Sequence, residues 1–130
     1  QIMIMKADGT DLKPLTHFTS GHSREPRIAP NNVNFCFRRD GDIYEGDLNT
    51  GETKVISDPQ IEEKSPYFSP NSRHIIYTAY IDGKEILVRQ DRLTGKRFFF
   101  PPMGTCCQYP QWVGRLSVPP NAERIVPGAK

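Results

Sequence analysis

The chain has 130 residues, enough for one domain or part of a larger one, with 36% hydrophobic residues, twelve prolines and ten glycines. Seventeen basic and fifteen acidic residues are interspersed and leave a net charge of +2, without the basic stripe that nucleic-acid binding requires. No apolar run reaches the length of a membrane span, no signal peptide is recognisable, and three cysteines (Cys36, Cys106 and Cys107) do not make a disulfide framework.

In chain order, "QIMIMKADGT" (1–10) opens with a strand-like run and ends in a Gly-containing turn, and "DLKPLT" (11–16) follows as a second short run. The polar stretch "SGHSRE" (20–25) then leads to "PRIA", a turn at Asn31 and Asn32, and the apolar run "VNFCF" (33–37). A hairpin at "RRDGD" leads into "DIYEGDLNTGE" (42–52) and then "TKVIS" (53–57). Asp-Gly and Thr-Gly supply the positive backbone dihedrals that tight hairpins need.

From here the pattern repeats. Pro66 and Pro70 stand forty residues after Pro26 and Pro30, Asn71 stands forty after Asn31, and "HIIYT" takes the place of "VNFCF". "IDGKE" is the second hairpin, "EILVRQDRLTGK" (85–96) the next strand and turn, and "KRFFF" (96–100) the last run of the unit. A third copy is stretched: "YPQW" (109–112) supplies Pro110, and "PNAERIV" (120–126) matches "PNSRHII" (70–76) after about six additional residues. The steps from Thr16 to Pro26, Ser57 to Pro66 and Phe100 to Pro110 are ten, nine and ten residues.

A four-stranded antiparallel unit repeated at about forty residues is the pattern of a β-propeller blade. The expected fold is therefore all-β, with two full blades and two half blades in a partial ring. The boundaries expected are a half blade over 1–21, blades over 22–60 and 61–105, and a half blade with an insertion over 106–130. The prolines are expected to bracket the innermost strand of each blade. No window shows a helical period with caps.

On these residues the chain resembles a known family. "SPYFSPNSRHIIYT" is similar to the "P-x-W-S-P-D-G-K-x-I-A-F" core of TolB-like (WD-repeat-like) propeller repeats, and "QIMIMKADGTDLKPLT" to the "I-Y-V-M-D-A-D-G-x-x-x-x-x-L-T" half. Asn31 and Asn71 replace the usual Asp of the first turn, and Asn32 and Ser72 its Gly; asparagine still supports an Asx turn. The resemblance implies a six- or seven-bladed ring and a periplasmic or extracytoplasmic protein of envelope complexes. Three blades would leave large apolar faces open. The expected partners are the remaining blades of the same ring, another protein, or a second copy completing a six-bladed ring.

Chemistry-bearing motifs are sparse. No zinc-protease motif, phosphate-binding Gly loop, dinucleotide fingerprint or nucleophile elbow occurs. Ser20, His22 and Ser23 read as a polar inter-blade loop rather than half of a triad. His17 and His22 lack a further metal-ligand pattern, and Asp40, Asp42, Glu45 and Asp47 fit no standard calcium loop. His74 falls in a strand. Cys106 and Cys107 read as small apolar residues at a blade junction, and Phe98, Phe99 and Phe100 as outer-strand packing or an interface. No cofactor and no metal is expected.

The binding residues expected are those just before each innermost strand: His22, Arg24 and Glu25, then Glu63 and Lys64, then Gln108 and Tyr109. The function expected is a non-catalytic, protein-binding or structural segment. The alternative is the propeller part of an enzyme, either the gate of a prolyl-oligopeptidase-like hydrolase or a propeller-form oligosaccharide lyase.

Overall fold

A computed structural model describes residues 1–102 and 109–112 of the chain. Every regular element among them is a strand. β1 (Met3–Ile4) and β2 (Lys13–Pro14) form a two-stranded pair. β3 (Ser23–Ile28), β4 (Asn34–Arg39), β5 (Asp42–Asp47) and β6 (Thr53–Val55) form one four-stranded antiparallel sheet in sequence order. β7 (Glu62–Phe68), β8 (His74–Ile81), β9 (Lys84–Asp91) and β10 (Arg97–Phe99) form a second sheet of the same order. These are two full blades. The half blade expected over 106–130, with Cys106, Cys107 and Gln108, lies outside the described residues apart from 109–112.

The turns repeat in kind. Asp40-Gly41 and Asp82-Gly83 all have positive φ and close two-residue hairpins, with Arg39 opposite Asp42 and Ile81 opposite Lys84. The Asn31 side chain accepts from the Val33 and Asn34 amides at 2.9 and 3.2 Å, and Asn71 accepts from the Arg73 amide at 3.1 Å. Before the outer strands, Asp47 and Asp91 each accept a 2.8 Å bond at their carbonyls from Gly51 and Gly95.

The first proline of each pair does not precede the innermost strand, as the sequence suggested, but lies inside it. Glu25 (φ 56°) and Ser65 (φ 56°) adopt the left-handed conformation just before Pro26 and Pro66, and the register shifts between Arg24 and Arg27 and between Lys64 and Tyr67. Each is a β-bulge, where a residue without an amide hydrogen costs no ladder bond. Pairing therefore starts earlier, at Ser23 and Glu62, and takes in residues expected in the links. Tyr109 (φ 52°), before Pro110, shares the conformation.

The core lies between sheets. Ile2, Leu15, Phe35 and Phe37 fill the seam between the half blade and the first blade, with Phe18 edge-on to Tyr44 (centroids 5.8 Å apart). Ala29, Cys36 and Ile43 of the first blade meet Phe68, Ile75, Tyr77, Ala79 and Val88 of the second. β7 packs on β3, β4 and β5, whereas the outer strands β6 and β10 do not meet, so the sheets fan apart from their inner edge.

Candidate inter-blade cleft

The period of forty brings the two blades together along a seam, and a cleft opens at one end of it. The cleft holds about 490 Å³. His22 and Arg24 supply one wall, Arg38 and the Asp40–Asp42 hairpin the next, and Pro59, Gln60, Ile61 and Glu62 of the link between blades the third. Arg24 and Arg38 are direct cross-strand neighbours, an arrangement in which like charges repel. Glu62 answers one of them, accepting from Arg38 at 2.7 Å, while Arg24 stays exposed. Asp40 accepts from the His22 amide at 2.8 Å. Burial first, then the nearby charges of Asp40 and Asp58, raise the Asp42 carboxyl above its ordinary value.

Of the described residues expected to bind, His22 and Arg24 line this cleft, whereas Glu25, Glu63, Lys64 and Tyr109 do not. Glu25 reaches across the seam, where its carboxylate accepts the Ser65 amide at 2.6 Å. Lys64 forms an ion pair with Glu85 of β9, reaching across the intervening strand β8. Tyr109 is exposed. Glu63 is only 1% exposed, in β7. Its amide donates to Gly41 O at 2.7 Å, and its carboxyl receives the Ser57 hydroxyl and the Asp58 amide. One carboxyl oxygen, Oε2, has no partner, and burial raises the group to about 7. Arg38, Gln60 and Glu62 were not singled out from sequence. None carried a sequence signal: Arg38 comes opposite Arg24 only through the register shift between Arg24 and Arg27.

The remaining candidates are placed structurally. His74 sits in β8, half-buried, with Nε2 3.8 Å from Asp91, whose carboxyl the Arg73 hydrogen bond holds well below its ordinary value. Cys36 is buried, and burial pushes its thiol up. Among the described residues no cluster of His, Cys, Asp and Glu has the make-up of a metal site. Phe98 and Phe99 are half-exposed on the outer strand, with Phe98 edge-on to Phe100 at 4.9 Å.

No protein-family model matches the sequence, and no curated protein does. Solved structures match at the level of the fold. TolB from Acinetobacter baumannii superposes with a TM-score of 0.63 at 24% identity, over 75% of this chain and 25% of that one. A putative TolB from Agrobacterium tumefaciens gives a TM-score of 0.65 at 17% identity, over 78% of this chain and 37% of that one. The fold is that of a TolB-like β-propeller. The chain spans between a quarter and two fifths of those propeller proteins. Among the described residues no helix is long and apolar enough to cross a membrane.

Proposed function

We propose that the chain is a non-catalytic propeller segment that binds or supports another protein within a larger polypeptide or assembly. On this reading the blades divide at 22–60 and 61–105, with half blades over 1–21 and 106–130 completed by other parts of the ring, and the protein works outside the cytoplasm. The observation that carries the reading is the cleft. Its polar groups come from two blades and a link, are largely satisfied by one another, and leave Arg24 outward and crowded by Arg38. An acidic side chain of a protein partner would relieve that repulsion and leave the rest of the wall unchanged.

The test is charge reversal at Arg24 in the full-length protein, followed by native mass measurement of the particle purified from its own source. Arg24→Glu is expected to strip a bound subunit, at least tenfold in occupancy, while Arg24→Lys retains most of it. A particle of unchanged mass and composition with Arg24→Glu would contradict the role given to this wall.

A further inference from the structure

We propose that Glu63 is a pH-sensitive latch on the seam between the two blades, holding the cleft walls together when its carboxyl is neutral and loosening them when it is ionised. The inference concerns the walls and does not depend on what the cleft binds.

Glu63 ties the hairpin wall to the link that carries the third wall. Its amide holds Gly41 of the hairpin at 2.7 Å, and its carboxyl holds Ser57 and Asp58, the residues with which the link begins. Ser57 is itself committed to the first blade, because its Oγ accepts the Ile43 amide at 2.8 Å. The link is tied at a second point by Gln90, which donates to Ile56 O at 2.8 Å while accepting the Tyr77 hydroxyl at 2.8 Å. The run Ile56–Glu62, whose last four residues form the third cleft wall, therefore hangs between the Gln90 tie and the Glu63 tie.

The carboxyl is built for the neutral form. It is 1% exposed, and Oε2 faces no donor among the described residues. An ionised carboxylate with one oxygen unsolvated is far costlier than a neutral acid in the same place. The charged groups that bear on it are Asp58 of the link, which offers its amide, Arg97 of β10 and Asp42 of β5, with Tyr77 of β8 beside it. Arg97 favours ionisation but lies 3.7 Å from Asp58, which shares its charge, and Asp42 opposes it. Burial outweighs the favourable contacts, which agrees with a midpoint near neutrality.

The sign follows from linkage. A carboxyl whose folded value lies above its unfolded one stabilises the closed seam at acid pH, and that contribution is lost as pH rises through the folded value. Hydrogen exchange of the Ile43, Ile56 and Glu63 amides in the full-length protein reads the seam directly, after correction for the intrinsic rate. Where opening exposes Glu63, protection of these amides is expected to fall on the order of 50-fold between pH 5 and 8. Glu63→Gln is expected to flatten that profile, leaving the distal Asp91 and Gly95 amides unchanged. Matching pH profiles in the wild type and Glu63→Gln would overturn the proposal. Should Glu63→Gln not fold, a carbon-13 titration of the wild-type Glu63 carboxyl decides. A midpoint near neutrality supports the latch, and one near the ordinary carboxylate value overturns it.

Discussion

Gly46 lies directly opposite Phe35 in the β4–β5 ladder, and a Cβ there would come within 2.3 Å of the Phe35 ring. The ring lies over the glycine and stacks on Phe37 at 5.6 Å, filling the seam toward the half blade. Gly46→Ala must push that ring out of place, and chemical denaturation should report a loss of about 1–3 kcal/mol; an unchanged midpoint would mean the ring has room. Cys36 gives a second test at this scale. Its thiol is buried in the inter-blade core with its ionisation suppressed, and the thiolate is the reactive form. Peptide mass mapping after iodoacetamide should find Cys36 unlabelled in the native protein and labelled in denaturant. Glu63 adds a global signature. With its carboxyl raised from 4.5 to about 7, stability at low pH should exceed that above neutrality by about 3 kcal/mol from this group alone, the loss accruing as pH rises between those values.

At the level of elements, the blades are stitched by side chains that repeat in place but not in kind. Arg92, in the turn before β10, makes a bidentate pair with Glu45 of β5 at 3.0 and 2.6 Å, nine-tenths buried, and also donates to Ser72 O. The equivalent of Arg92 one blade earlier is Leu48, packed among Ile2, Leu15 and Phe35. The site thus tolerates either a matched ion pair or an apolar contact. Glu45→Ala alone should cost about 3–5 kcal/mol by stranding Arg92, whereas Glu45→Met with Arg92→Leu should recover most of it. A double variant as unstable as the single one would contradict this. Glu25 is the inner-edge stitch: Glu25→Ala, which orphans the Ser65 amide, should cost about 1–3 kcal/mol in the same assay, and Glu25→Gln less.

The strands, hairpins and Asx turns of both blades were legible because each is local chemistry at a fixed offset: Asp-Gly pairs, asparagines after prolines and apolar alternation. The bulges were not. Glu25 and Ser65 are not residues that announce a left-handed backbone, and the conformation is fixed by the proline that follows and by pairing resumed beyond it. Glu63 is expected in the link as a binding residue, and its burial runs against the rule that glutamates seldom go inside. The only hint of burial is that its equivalent forty residues earlier is the small Ser23. The cleft draws on three stretches of chain far apart in sequence, so of its lining only His22 and Arg24 stand among the expected binding residues.

For the whole molecule, one relation generates the seam and the cleft: successive forty-residue units related by rotation about a common axis. It also explains why the two sheets touch along β3 and β7 and separate at β6 and β10. An experimental density map of the full-length protein tests it most directly. The account predicts β3 and β7 as neighbouring innermost strands, with Pro26 and Pro66 superposed by a single rotation and the Glu25 carboxylate on the Ser65 amide. A closed sandwich in which those prolines are not related by rotation would contradict it.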